Sequence, residues 1–225
     1  MIADVGATLR LLQAFDSAFP SGAFAFSGGL EALSAAGVLT GGAALEAFLA
    51  CQVVARFGGI DRTFIARAHR VAPDVAALSA VDAACEGFVS VAEAGEASRR
   101  TGLSLMTTHA RIGTPGIAPF RAAVAGGLTP GHASVVQGLV GRSLGLSVAA
   151  TEAGALHGAV QSCLAAAIRL GRVGALEAQA ILISVRPAME AALSGEAPDE
   201  PAAFVPVADI ALSRHDDHAG RLFAS

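Results

Sequence analysis

Residues 147–170, SVAATEAGALHGAVQSCLAAAIRL, decide the fold class that this sequence predicts. Apolar side chains recur every three or four residues through the stretch, at Leu156, Val160, Cys163, Ala167 and Leu170. This spacing places them on one face of an α-helix, and it predicts a long helix with that face in the core. The polar residues of the stretch lie off the apolar face: Glu152, Gln161 and Arg169.

Helical periodicity continues on both sides of this stretch, and the alternation typical of strands does not persist anywhere in the sequence. The abundance of Ala and Leu also favours helices. We therefore predict an all-α fold, a single-domain bundle of about eight to ten helices with a partly disordered N-terminus and C-terminal tail. Gly58-Gly59 should end a helix that begins near Thr40, and Pro187 should kink or split the last helix of the body.

The sequence divides into a helical body and a distinct C-terminal segment. Residues 1–193 form the predicted all-α domain, and residues 194–206 are predicted to be a linker because they contain three prolines and three acidic residues. Residues 207–225 form a polar tail that carries histidines. A tethered tail beside an apolar helical body is typical of an interaction protein.

The composition narrows the possible classes of function. Hydrophobic residues make up 53% of the chain and charged residues 15%, so we expect extra apolar surface, as in an oligomer or a subunit of a complex. A net charge of −4 gives no electrostatic reason to expect nucleic acid as a partner. All 15 basic residues are Arg, which excludes a Walker A lysine and a Schiff-base lysine.

The sequence also predicts a cytoplasmic protein that does not enter a membrane. The longest charge-free run, residues 122–141, contains Pro130, His132 and five glycines, so it is a poor membrane span. The N-terminus has no basic region and no cleavable apolar segment, so secretion is not indicated. The widely separated cysteines are typical of reduced, mostly buried thiols in a cytosolic protein: Cys51, Cys85 and Cys163.

A second stretch, residues 19–31 with the sequence FPSGAFAFSGGLE, is both irregular and apolar. Its Gly and Pro residues break or bend a helix, while its three Phe side chains need a surface to bury against. Because loops are usually polar, a stretch of this kind either plugs its own domain or docks on a partner. A new helix is predicted to begin at Leu30, where the stretch ends.

Two short patterns raise the question of catalysis or metal binding. Residues 141–145, GRSLG, match the GxSxG pattern of a hydrolase nucleophile at Ser143, but that chemistry needs a strand–turn–helix context that the sequence does not predict. His215 and His218 flank two aspartates and would suit Ni or Zn, although a solvated tail explains the same residues. A helical hydrolase and a stand-alone nickel-binding protein are therefore the alternatives to a non-catalytic interaction protein.

Several motifs resemble the urease accessory protein UreF family. Residues 19–31 are similar to its P-x-G-x-F-x-x-S-x-G-L-E segment, and residues 207–223 resemble its closing segment, in which a His–acid pair precedes R-L-F. The resemblance covers nearly the whole chain, because shorter matches follow in the same order: Gly131-His132, Val135-Val136, Gly138, Leu144-Gly145-Leu146, Ala166 and Ile168-Arg169-Leu170.

The resemblance implies an all-α, dimer-forming accessory protein of the cytoplasm that is not an enzyme. It implies three partners: a UreD-type (also called UreH-type) accessory protein, the GTPase UreG, and apo-urease, to which their complex delivers nickel. The chain would gate or stimulate the GTPase, and it would need no cofactor of its own because the complex handles the nickel. Neither nucleic acid nor a membrane is an expected partner.

The resemblance also implies which residues dock the partner. Residues 19–31 and the tail would form the docking elements, and the tail would order on binding. Aromatic and Arg side chains would supply the anchors, since these residue types dominate binding hot spots. The expected partner-binding residues are Gly22, Phe24, Phe26, Ser27, Gly29, Glu31, Asp209, Arg214, His215, Arg221, Leu222 and Phe223.

Overall fold

The structure is a computed structural model, and it describes residues 4–23, 26–214 and 223. These residues form helices and turns, with no strand among them, which confirms the all-α prediction. Ten helices are present in the described part of the chain: α1 (Val5–Ala14), α2 (Leu30–Ala35), α3 (Gly42–Val71), α4 (Val75–Glu86), α5 (Ala92–Arg111), α6 (Ile117–Ala125), α7 (Ala133–Ser143), α8 (Val148–Arg169), α9 (Ala175–Ala192) and α10 (Pro206–Ser213).

Side-chain caps fix where several of the helices begin. Asp4 accepts a hydrogen bond from the Ala7 backbone N–H at 3.0 Å, and Ser147 accepts one from Ala150 at 3.1 Å. These bonds satisfy N–H groups that have no partner within the first turn of a helix. The cap at Ser147 starts α8, the helix predicted from residues 147–170.

Helix α3 does not end at Gly58-Gly59, so that prediction was wrong. The helix continues because two of its stretches, Leu49–Val54 and Phe57–Asp61, are wound as π-helix. The second glycine serves a close approach instead: a Cβ at Gly59 would lie 2.0 Å from the Ala202 carbonyl oxygen. Tertiary contact therefore overrides the low helix propensity of the glycine pair.

Pro187 lies inside α9 without splitting it. A proline removes one backbone hydrogen bond, but the buried side chains Ile181 and Val185 keep α9 packed on the core. The apolar contacts therefore hold this helix together across the missing bond.

The core consists of two apolar clusters on either side of α3. One cluster includes Leu45 and Leu49 of α3 together with side chains from α2, α8, α9 and α10. The other includes Phe64 of α3 and is completed by α4, α5, α6 and α7. Helices α3 and α7 cross closely, since a Cβ at Gly138 would lie 2.5 Å from the Ile65 carbonyl oxygen.

Glu152 is buried, although the apolar spacing of α8 placed it outside the core-facing positions. Its carboxylate is 2.8 Å from the Arg62 guanidinium, and both side chains are about nineteen-twentieths buried. Arg62 also donates to the carbonyl of Ala192 at 3.0 Å and to that of Ser194 at 3.3 Å. Apolar spacing did not predict the burial of Glu152, because its charge is compensated inside the protein by the ion pair with Arg62.

The segment 194–206, predicted to be a linker, lies along α3. Thr63 donates its hydroxyl to the Pro198 carbonyl at 3.0 Å, and the Ala202 N–H donates to the Gly59 carbonyl at 2.8 Å. These bonds position the start of α10 against the helical body.

Among the described residues, one helix is long and apolar enough to cross a membrane by length and composition: Gly42–Val71. About 39% of its most apolar window is buried inside the protein. Core helices of soluble proteins have the same length and composition, so this helix by itself is weak support for a membrane span.

Candidate partner-binding surface

The first half of the stretch 19–31 is fixed to helix α5. The Phe19 ring stacks on the His109 ring with 4.8 Å between centroids. The Pro20 carbonyl accepts hydrogen bonds from the hydroxyls of Ser104 at 3.2 Å and Thr108 at 2.9 Å. Residues 19–20 are therefore held by both stacking and hydrogen bonds.

The second half of the stretch leads into α2. The half-buried Phe26 ring lies 5.4 Å from the Arg100 guanidinium, a distance suited to a cation–π contact. Ser27 is buried, and its hydroxyl accepts a bond from the Glu31 N–H at 3.4 Å. Gly29 has a φ of +88°, a left-handed conformation that glycine adopts at no steric cost.

Helix α10 packs directly against this turn. It begins with Pro206 and has Asp209 in its first turn. Proline is common at the first position of a helix, and a negative charge near the N-terminus is favourable for the helix dipole. A Cβ at Gly29 would lie 2.9 Å from the Ala211 Cβ, so glycine also permits the close approach of the two segments. We call residues 26–31 together with α10 the terminal surface.

Polar contacts fix α10 to the body as well. The Gln52 side chain of α3 accepts a bond from the Ala208 N–H at 3.1 Å, and the Ser90 hydroxyl donates to Asp209 at 2.9 Å. These bonds place the first turn of α10 against α3 and against the residues that precede α5.

Apolar side chains remain exposed along α10 and just before it. Phe204 is 86% exposed, Val207 43% and Ile210 53%. They are three residues apart, so Val207 and Ile210 lie on the same side of the helix. Clustered exposed apolar groups are typical of a protein interaction site.

The predicted docking residues differ in their accessibility. Gly22 and Arg214 are exposed, and Phe26 and Asp209 are half-buried. Ser27, Gly29 and Glu31 are buried, which suits residues that position the terminal surface. Four others lie outside the described residues: Phe24, His215, Arg221 and Leu222.

Phe223 lies in the chain's own core. It is 6% exposed, and the Arg169 guanidinium lies 4.0 Å from the centre of its ring. The Phe223 ring is thus part of the same apolar cluster as Leu45 and Leu49 of α3.

The structure also points to residues that the sequence interpretation did not select. Phe204, Val207 and Ile210 carry the exposed apolar area of α10, yet the segment that contains them was interpreted as a linker followed by a polar tail. Their spacing of three residues was the available signal.

The two alternative sites have different positions. Ser143 is half-buried at the last position of α7, and no strand precedes it in the part of the chain that the structure describes. His218, like His215, is not among the described residues. Residues 4–23, 26–214 and 223 contain no group of three or more His, Cys, Asp or Glu side chains that could hold a metal ion.

A polar network around the buried His132 joins α4, α5 and α7, and its Glu86 side chain reaches the surface. The His132 ring is 2.6 Å from the Glu86 carboxylate and 3.1 Å from the Ser98 hydroxyl. Burial alone would raise the pKa of Glu86, but the bond to His132 and the neighbouring Arg99 outweigh it and lower that pKa.

The Ser98 hydroxyl is engaged in a structural bond. It accepts the Ala133 N–H at 3.1 Å at the start of α7. The same end of α7 is held by Asp82, which accepts from the backbone N–H groups of Gly131 and His132. We therefore interpret the network as a support for α7.

Comparisons with a family profile and with individual known proteins point to the same family. The profile of the UreF family matches residues 39–186. A urease accessory protein UreF from Trichodesmium erythraeum is 30% identical over 233 residues, covering 99% of this chain and 98% of that protein. Proteins of the same name from Rhodopseudomonas palustris and Cereibacter sphaeroides are each 33% identical, over 223 and 221 residues, and each alignment covers 96% of this chain. The alignments cover 90% and 98% of those two proteins.

Proposed function

Since the chain belongs to the UreF family of urease accessory proteins, we propose that it acts in urease maturation as a non-catalytic scaffold. Its proposed partners are a UreD/UreH-type accessory protein and the GTPase UreG. Together they would deliver nickel to apo-urease, with this chain regulating the GTPase. Nickel is then the cargo of the complex, and no tightly bound cofactor is required in this chain.

The observation that carries this proposal is the terminal surface. The N-terminal stretch and α10 lie against each other, with Gly29 in contact distance of Ala211, while Val207 and Ile210 stay exposed beside them. A preformed surface with apolar anchors loses little conformational entropy when a partner covers it. We therefore assign the UreD/UreH-type protein to this surface.

We further propose that the protein is a cytoplasmic homodimer. Leu176 is 86% exposed and Ile183 is 61% exposed, and they lie two turns apart on one side of α9. A second copy of the chain would cover such a face. Cys51 and Cys85 are free thiols, as expected in a reducing compartment.

The test of the scaffold proposal uses charge on α10. The double variant Val207→Asp and Ile210→Asp should fold normally because both side chains are exposed. It should lose co-purification with a UreD/UreH-type partner, because two buried carboxylates would be left without counter-charges in the complex.

The matched control is Leu128→Asp, which places the same charge at a side chain that is 79% exposed in the loop between α6 and α7. This variant should bind the partner as the wild type does. Retained binding by the α10 variant, with both proteins folded by circular dichroism, would assign the partner to another face. Point variants are preferable to truncation, because Ala208, Ala211 and Leu212 are part of the buried structure.

A further inference from the structure

A cavity of about 360 Å³, partly open to solvent, lies beneath the terminal surface and is lined mainly by α3, α5, α7, α8 and residues 14–23. Its volume is at the lower end of the range for small-molecule sites, about 300 to 1,000 Å³. Aromatic side chains supply much of its wall: Phe15, Phe19, Phe26, Phe48 and Phe57. This part of the cavity suits a large apolar group.

The same cavity is lined by one arginine, Arg56, and by two aspartates, Asp16 and Asp61, of which Asp61 lies beside Arg56. The Nε atom of Arg56 is 3.7 Å from the Oδ2 atom of Asp61, and neither side chain makes a hydrogen bond to another described residue. Their side chains keep 28% and 31% of their exposure, so solvent reaches both. Burial raises the pKa of the Asp61 carboxyl, against smaller lowering effects of Arg56 and His132.

The π-helical winding of α3 explains why these two groups meet. In an α-helix, residues five apart are rotated by about 140° from each other. A π-helix closes its hydrogen bonds from residue i to i+5, so residues five apart return to nearly the same face. Arg56 and Asp61 are five apart across the π stretch Phe57–Asp61, and both line the cavity.

We propose that this cavity binds a free α-amino acid with a large apolar side chain. Its carboxylate would accept hydrogen bonds from Arg56, and its ammonium group would donate to Asp61. The side chain would occupy the Phe-lined part of the cavity. A zwitterion fits because Arg56 and Asp61 carry opposite charges on adjacent side chains, so each charge of the ligand meets its complement there.

The probe is L-tryptophan, because the protein itself contains no Trp and no Tyr. Fluorescence titration and equilibrium dialysis should show saturable binding at one site per chain. Indole-3-propionate lacks the ammonium group and tryptamine lacks the carboxylate. Each should bind at least about tenfold more weakly. Indole-3-propionate has no group to donate to Asp61, and tryptamine has no group to accept from Arg56.

Variants of the two charged residues give the matching result on the protein side. Asp61→Asn and Arg56→Gln should each weaken tryptophan binding at least about tenfold. Asp199→Asn is the control, because it makes the same change at an exposed residue outside the cavity, and it should bind as the wild type does.

Two results would overturn the inference: no saturable tryptophan binding, or equal binding of tryptophan and its two truncated analogues to the wild type. The ligand series decides the matter even if a cavity variant fails to fold. Partner binding through α10 is measured separately, so failure here leaves the scaffold proposal unaffected.

Discussion

Helices α7 and α10 have comparable lengths, 11 and 8 residues, but they are packed in opposite ways. In α7 the buried residues extend almost all around the helix and include two glycines at close crossings, Gly138 and Gly141. In α10 the buried residues are Ala208, Ala211 and Leu212, while Val207 and Ile210 remain exposed. The central helix therefore serves stability, and the edge helix has apolar area left for a partner.

This difference separates two kinds of residue. A side chain added at Gly138 of α7 would meet backbone atoms of α3, which cannot move without disturbing the core. A change on the exposed side of α10 alters only what the protein can bind. The predictions below test this separation, beginning with the centre of the molecule.

Gly138→Ala should have the largest effect on stability, about 3 kcal/mol. The added Cβ would lie 2.5 Å from the Ile65 carbonyl oxygen and 2.9 Å from the His69 backbone nitrogen, so α3 and α7 must separate. Urea unfolding followed by circular dichroism measures the change in the free energy of unfolding.

The control for this variant is Gly158→Ala in α8, where a Cβ meets no atom within 4 Å. It should stabilise the protein by up to about 1 kcal/mol, because alanine is the better helix former. Equal effects of the two substitutions would mean that the α3–α7 crossing does not control stability.

His109, which stacks on Phe19, should make the stability of the protein depend on pH, with an effect of intermediate size. Burial lowers the pKa of His109 from 6.5 to about 4. Between these values the unfolded chain binds a proton that the folded protein does not, so stability falls as the pH decreases from 6.5 towards 4. The loss at pH 5 should be about 2 kcal/mol relative to pH 7.

His109→Gln isolates this effect, because glutamine cannot take up the proton. Urea unfolding at pH 7 and at pH 5 should show a smaller decrease in stability for the variant than for the wild type. If the stability of the wild type and of the variant falls equally between pH 7 and pH 5, groups other than His109 cause the acid sensitivity.

Gly29→Ala should have the smallest effect, about 1 kcal/mol. Alanine is strained at a φ of +88°, and its Cβ would lie 2.9 Å from the Ala211 Cβ. The strain can be relieved at the edge, because α10 can shift without opening the central crossing. A loss of stability as large as that of Gly138→Ala, measured by the same unfolding experiment, would contradict the separation of edge and centre.

Local periodicity predicted the fold class and most of the helices. The spacing of Leu156, Val160 and Ala167 predicted α8 because helical burial follows the turn of the helix. It failed at Gly58-Gly59, where π winding and contact with Ala202 depend on a segment far along the chain. It also failed at Glu152, whose buried partner Arg62 is 90 residues away.

The candidate site was predicted only in part. Residues 19–31 were recognised because an irregular stretch rich in Phe is unusual, and the structure places residues 26–31 beside α10. Val207 and Ile210 were missed because residues 207–225 were interpreted as a polar tail that carries histidines. Their exposure follows from how α10 sits on the body, which a single sequence does not specify.

The most direct test of the scaffold account is hydrogen exchange of the chain, free and mixed with the proposed UreD/UreH-type partner. We predict that backbone amides of residues 26–31 and of α10 exchange at least about tenfold more slowly in the complex, while those of residues 126–131 are unchanged. Protection confined to other helices, with the terminal surface exchanging as in the free chain, would contradict the account.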